Sequence, residues 1–380
     1  MRVALVHNII APYRLDLFNR LSDEDGIDLR VLFLAVSEAD RAWNEASLRT
    51  RIHFPFEVID GIHLRIGRST IHINPGLVLR LKKFKPECVI SVSLTLATGL
   101  CWVYSRLAGI PLIVWWAGTE QTEAYRSRFK QLWRRWLIPK VACFLAYSEG
   151  AAAYLRSRGV EACRIIVAGN ISFNVRAYHE RVEHQRQRAE QLKNSMDLAG
   201  RRVILAVGQF IPRKNHEALL LVFKEIIKFI DDVGLVIVGE GPQWESIRAS
   251  GEHIAGRLIQ FPGHIEPDEL PTYYAVADLF VHLTLSDHWA QVVGEAMASG
   301  LPVVVSEFDY ASEMIDSGIN GYKVDPRNFK AVVKLCRKLL EDRELASQLG
   351  DRGYRTVSNM DVNHVCDAFL QAIRYGTMHG

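Results

Sequence analysis

Residues Leu285–Val305 read LSDHWAQVVGEAMASGLPVVV. The stretch divides into the end of a strand, a polar loop, a short helix stopped at Gly300, and a buried strand entered at Pro302. A glycine just past a helix supplies the left-handed residue that ends it. An all-apolar strand with helices on either side of it in sequence belongs in a parallel sheet covered on both faces.

The same grammar extends outward. Val203–Val207, Leu235–Val238, Leu258–Phe261, Leu279–His282 and Pro302–Val305 read as strands of the second half, with helical patterns between most of them. One helix begins near Asn215, a good cap residue, and carries Leu219, Leu220, Phe223, Ile226, Ile227 and Ile230 on its apolar face. In the first half, Val3–His7, Leu29–Leu34, Cys88–Val92, Leu112–Trp116, Cys143–Tyr147 and Ile165–Ala168 are strands, and Tyr13–Ser22 and Gly150–Arg158 are helical. The expected architecture is α/β, with two Rossmann-like doubly wound domains in series, 1–172 and 201–361. The polar segment Asn174–Asp197 between them reads as a solvated linker helix, within 173–200.

Composition narrows the function classes. The chain has 380 residues, about two or three domains' worth. Its formal net charge is +3, too small to point to nucleic acid. The six cysteines form no close pair, which argues against a zinc site or a disulfide framework and suits reduced thiols in the cytoplasm. The apolar start MRVALVHNII is short for a signal-peptide core, and no stretch is apolar for the ~18 residues that span a bilayer.

In an open parallel sheet, ligands gather beyond the C-terminal ends of the strands, where helix N-termini point. The first such loop of the second half is Gly208-Gln209-Phe210-Ile211-Pro212-Arg213-Lys214-Asn215. It places two cations just before a helix start, the arrangement for a phosphate. The next loop, Gly239-Glu240-Gly241-Pro242, has glycines where ligand or backbone approaches closely. Asp287 in its loop and Glu295 on the following helix stand eight positions apart and can accept from two sets of sugar hydroxyls. The amides from His288 to Gln291 are placed to face a diphosphate.

These residues, in this order and spacing, resemble the donor domain of the retaining glycosyltransferases of family 4, glycosyl transferases group 1. The matching elements are Gly208 to Lys214, Gly239-Glu240-Gly241-Pro242, and Asp287 running to Glu295-Ala296-Met297-Ala298-Ser299-Gly300-Leu301-Pro302-Val303. More weakly, Ala146-Tyr147-Ser148-Glu149 and Gly169-Asn170 look like strand ends of that family's N-terminal domain.

The resemblance implies the GT-B fold: two Rossmann-like domains across a cleft, with a C-terminal helix, about 362–380, crossing back to the first. It implies transfer of a hexosyl group from a nucleoside-diphosphate sugar, UDP-sugar favoured, to a glycan or lipid-linked acceptor, in polysaccharide or glycolipid synthesis. Arg213 and Lys214 then stabilise the departing diphosphate with help from backbone amides near Ala290, and Gly208, Gln209, Gly239, Gly241, Trp289, Ala290, Gln291 and Val292 line the donor site. Glu295 holds the ribose, Asp287 the transferred sugar, and the backbone at His264 and Ile265 meets the base. No metal or other cofactor is implied. The acceptor side is expected around Tyr13, Arg14, Gly118 and Thr119, with Glu120 as either a general base or an ordinary helix-start acid.

This chain departs from the family pattern in three places. Asp287 stands where glutamate is usual, Gln209 where arginine is usual, and His7–Arg14 where a glycine-rich loop is usual.

Tyr125, Phe129, Leu132, Trp133, Trp136 and Leu137 recur at helical spacing, with Arg126, Arg128, Lys130, Arg134 and Arg135 between them. That stripe packs on the N-terminal sheet or lies on the anionic inner face of a membrane. A nucleotide-sugar epimerase or hydrolase of the same fold, and a non-catalytic nucleotide-sugar-binding protein, are the competing functions. A Rossmann dehydrogenase is disfavoured, because no Gly-x-Gly-x-x-Gly follows the first strand.

Overall fold

The computed structural model describes residues 1–38, 43, 45–66, 69–124 and 127–379. The chain forms two compact units, Met1–Phe173 with Met360–Gly380, and Asn174–Asn359.

The first unit is built on β1 (Arg2–His7), β2 (Asp28–Phe33), β3 (Phe56–Val58), a two-stranded hairpin of β4 (Ile62–Ile66) and β5 (Ser69–Ile73), then β6 (Cys88–Val92), β7 (Leu112–Trp116), β8 (Cys143–Ala146) and β9 (Ile165–Val167). Seven of these strands form a sheet in the order β3-β2-β1-β6-β7-β8-β9, with every pairing parallel. The order reverses direction beside β1, which is the doubly wound topology. β6 and β7 are buried along their whole length, as their unbroken apolar runs require. The C-terminal helix Val362–His379 belongs to this unit. It buries Val365, Cys366, Phe369, Ala372 and Ile373, and Phe369 meets the Trp115 ring edge-on at 4.9 Å.

The second unit repeats the plan with β10 (Arg202–Val207), β11 (Val233–Val238), β12 (Ile259–Gly263), β13 (Leu279–His282), β14 (Val303–Ser306) and β15 (Tyr322–Val324). Its parallel order is β12-β11-β10-β13-β14-β15. Its core runs through Ile204, Leu235, Ile237, Val281 and Val304, covered by Leu219, Phe223 and Leu339 from flanking helices.

The segment read as a solvated linker differs from expectation. It forms two helices, Val175–His184 and Arg186–Ser195, that belong to the second unit. Val175, Tyr178, Val182 and Ala189 are buried, and His179 Nδ1 lies 2.8 Å from the Ala298 carbonyl. The high charge occupies the outer face; the apolar residues, spaced at three and four, face the protein.

Candidate functional site

The loops after β10 and β11 are laced together by backbone. The Gly208 amide donates to the Val238 carbonyl at 2.9 Å and the Phe210 amide to the Glu240 carbonyl at 2.8 Å. This closeness explains the glycines. A Cβ on Gly239 would fall 2.1 Å from the Gly208 oxygen, and one on Gly241 2.6 Å from the Phe210 oxygen, at φ of +136° and +155°. Gly208 is under no such constraint, since its Cβ would meet the Lys214 stem at an ordinary 3.6 Å. Gln209 contributes its carbonyl, 3.2 Å from His216 Nε2.

Arg213 and Lys214 sit in a single tight turn, Pro212–Lys214, immediately before the helix His216–Ile226. Asn215 holds the N-cap position of that helix, but its side chain makes no capping hydrogen bond. It adopts a left-handed conformation at φ 59°, and its side-chain Nδ2 donates to the Leu283 carbonyl at 3.2 Å. The Arg213 carbonyl accepts from the Leu285 amide at 2.7 Å and the Thr284 hydroxyl at 2.8 Å. The basic turn is thereby clipped to the exit of β13.

Both cations converge on one atom. Arg213 Nη1 is 2.5 Å and Lys214 Nζ 2.7 Å from Asp287 Oδ2, while Oδ1 accepts from the His288 amide at 2.9 Å. Burial by itself would raise the Asp287 pKa, but Lys214 and Arg213 reverse this and hold the carboxyl far below the usual range. Asp287, expected to hold a sugar hydroxyl, lies between the two cations expected to meet phosphate, and they favour its ionised form.

Glu295 lies on the helix Gln291–Ala298, its Oε2 accepting from the Tyr274 hydroxyl at 2.9 Å. Burial raises its pKa to about 7, against the opposing effects of the Tyr274 hydrogen bond and Arg181. Tyr178 and Tyr274 pack edge-on at 6.1 Å. Tyr178, Arg181 and Tyr274 therefore shape this carboxylate, and sequence reasoning named none of them.

The expected diphosphate amides are partly occupied. The His288 amide is held by Asp287, and the Ala290 amide donates to Asp309 Oδ1 at 3.1 Å. Gln291 and Val292 open the helix itself, and Trp289 is buried beside them. The His264 amide, expected to meet a base, donates to Glu240 Oε1 at 3.3 Å; Ile265 follows it, half-buried.

Sequence reasoning also missed His282 and Asp309. With Asp287 they bring ligand-type atoms within 4.8 Å of one another. A divalent cation fits poorly there, because Lys214 and Arg213 already fill Asp287 Oδ2 and would repel it.

The acceptor-side residues lie in the first unit. Arg14 is buried, and its guanidinium donates to Asn170 Oδ1 (2.5 Å), Ser172 Oγ (2.6 Å) and Tyr147 OH (2.9 Å), 4.1 Å above the Trp115 ring. It ties the loop after β1, expected on the acceptor side, to those after β8 and β9. Tyr13 meets Trp43 edge-on at 5.9 Å. A Cβ on Gly118 would lie 2.3 Å from the Trp116 ring, and Thr119 caps the turn Glu120–Glu123 through Thr122. Glu120 is an exposed helix-start acid 3.5 Å from Arg158.

Residues 186–356 match the family described as glycosyl transferases group 1, and residues 10–170 match the glycosyl transferase 4-like domain. Spore coat protein SA of Bacillus subtilis is 29% identical over 211 residues, 52% of this chain and 55% of that protein. The GDP-mannose-dependent alpha-(1-6)-phosphatidylinositol monomannoside mannosyltransferase of Mycobacterium tuberculosis is 31% identical over 177 residues, 44% and 46% of the two chains. The chain thus spans about half the length of these curated relatives. In structure, HepE from Anabaena in complex with UDP-glucose is similar over 98% of this chain and 99% of its own, with a TM-score of 0.78 and 16% identity. On the two family matches, the parallel-sheet units and the motifs they carry, the chain belongs to the group 1, family 4 type of GT-B glycosyltransferases.

Proposed function

We propose that the chain transfers a hexosyl group from a nucleoside-diphosphate sugar to a hydroxyl of a glycan or lipid-linked acceptor. Transfer proceeds with retention at the anomeric carbon and without a metal ion. The observation that carries this reading is the convergence of Arg213 and Lys214 on Asp287 at the C-terminal edge of β10 and β13. A diphosphate entering there meets two fixed cations already held in place, so little reorganisation is needed as charge develops on the leaving group. The sugar C1–oxygen bond breaks with its electron pair passing to the diphosphate, and the acceptor oxygen bonds C1 on the same face. The acceptor proton goes to the leaving phosphate oxygen. Glu295 takes the ribose hydroxyls and Asp287 a hydroxyl of the sugar. A uridine donor is favoured by the UDP-glucose complex of HepE, and a guanosine donor is the alternative raised by the mannosyltransferase relative. Proton NMR of the glycoside formed from an α-linked donor, in buffer with chelator, tests this: an α product supports the reading, and a β product or loss of turnover with chelator refutes it.

The helix Arg128–Leu137 supplies the contact with an acceptor membrane in this proposal. Tyr125 and Arg126 of the predicted stripe lie outside the described residues. Trp133 and Leu137 turn inward, but Phe129, Leu132 and Trp136 are 72%, 64% and 42% exposed. No acid occurs between Glu123 and Glu149, while Arg128, Lys130, Arg135 and Lys140 are basic. An apolar stripe flanked by cations suits an anionic lipid surface. Arg134 is not part of that face, being largely covered by Glu123 and Trp116. Among the described residues, no helix is long and apolar enough to cross a membrane.

A further inference from the structure

Asp309 is fully buried, a costly place for a carboxylate unless it organises something. Its Oδ1 accepts from two backbone amides, Ala290 at 3.1 Å and Ala311 at 2.9 Å. Its Oδ2 lies 3.2 Å from Nε2 of His282, the buried last residue of β13. Backbone contacts add to this clamp. The Asp287 amide donates to the Phe308 carbonyl at 3.0 Å, and the Tyr310 amide to the Asp287 carbonyl at 3.4 Å. The loop 287–290 is therefore fixed at one end by the backbone around Asp309 and at the other by its side chain. That loop carries Asp287 and leads into the helix that bears Glu295.

We infer that Asp309, packed beside His282, is a positioning residue of the donor site: its carboxylate sets the course of the 287–290 loop, and through it the placement of Asp287 and the start of the helix Gln291–Ala298. The inference rests on the donor-site reading above. Shortening Asp309 leaves two buried amides without an acceptor and empties the space beside His282 at the end of β13. Asp287 and its two cations then lose their fixed frame. Since a displacement of about 1 Å at a reacting group lowers rates by roughly 100-fold, the loss appears in kcat. Asparagine keeps a carbonyl oxygen for the two amides and preserves most of the frame.

The test compares steady-state kinetics of wild type, Asp309→Ala and Asp309→Asn with the nucleotide-sugar that wild type turns over, each corrected for folded fraction by circular dichroism. Asp309→Ala is expected to lower kcat about 100-fold with donor KM within about threefold of wild type, and Asp309→Asn to recover kcat to within about tenfold. If Asp309→Ala does not fold, Asp309→Ser, whose hydroxyl is too short to serve both amides, takes its place under the same criteria. An alanine or serine variant with kcat within threefold of wild type, or a loss matched by the lost folded fraction, overturns the inference alone. Absence of turnover by wild type with every nucleotide-sugar overturns the donor-site reading, and this inference with it.

Discussion

Lys214→Met tests the electrostatic core of the donor site without any ligand. Lys214 is 8% exposed, and its Nζ is one of two cations on Asp287 Oδ2. Methionine keeps the bulk of the stem and removes the charge. Breaking a buried pair costs about 3–5 kcal/mol when the remaining charge is left alone. Here Arg213 stays on the same oxygen, but it is 39% exposed and its contribution is screened. The expected loss is therefore about 2 kcal/mol at pH 7, the scale of one charge-assisted hydrogen bond. For a unit of this size that lowers Tm by roughly 4–8 °C. The sign with pH follows from the depressed Asp287 pKa. Its stabilisation is complete above the unfolded carboxylate value of about 3.9 and declines as pH falls towards the lower folded value. The gap between wild type and variant, measured by urea unfolding from pH 7 to pH 3, should hold to about pH 4 and narrow below it. A gap under 0.5 kcal/mol at pH 7, or one independent of pH, would refute the reasoning.

Three further outcomes are expected. Gly239→Ala places a Cβ 2.1 Å from the Gly208 oxygen at φ +136° and should destabilise the second unit by about 3 kcal/mol, so an unchanged Tm contradicts the close-approach argument. Glu295 is held up to about 7, so it ionises late; its contribution to stability falls as pH rises from about 4.5 through 7, while donor affinity rises over pH 6–8 as the carboxylate forms. Glu295→Gln should flatten that affinity profile in calorimetric titrations. Pelleting with vesicles rich in anionic lipid should be reversed by salt and lost in the double variant Phe129→Ser, Leu132→Ser, and pelleting by the variant equal to wild type rejects the membrane face.

The second unit was legible because its signals are local. The runs at β10, β11, β13 and β14 are apolar apart from their end residues Arg202, His282 and Ser306, and the glycine and proline punctuation of Gly239–Pro242 and Gly300–Pro302 marks strand ends. What escaped depends on partners distant in sequence. The short edge strands β3 and β15 have too few residues to show a period. Asn215 looked like a cap but is bound by a carbonyl 68 positions away. Arg14 was expected on the acceptor side, and its guanidinium donates to Tyr147, Asn170 and Ser172, more than a hundred positions on. His282 and Asp309 carry no motif, because one is a strand residue and the other a loop acid until β13 and β14 bring them together. The helix at Val175–His184 was expected, but its buried face was hidden by its charge, although Val175, Tyr178 and Val182 have helical spacing. Such signals are read only when an apolar face is weighed separately from the solvated one.

The most direct test of the central claim is isothermal titration of the intact chain with a panel of UDP- and GDP-sugars and the free nucleoside diphosphates. One nucleotide-sugar should bind at one site per chain without added metal, and Lys214→Met should weaken it about 10- to 100-fold, the loss of one charge-assisted hydrogen bond to phosphate. Folded wild-type protein that binds no member of the panel, or a Lys214 variant that binds as tightly as wild type, would contradict the assignment of this site to a nucleotide-sugar.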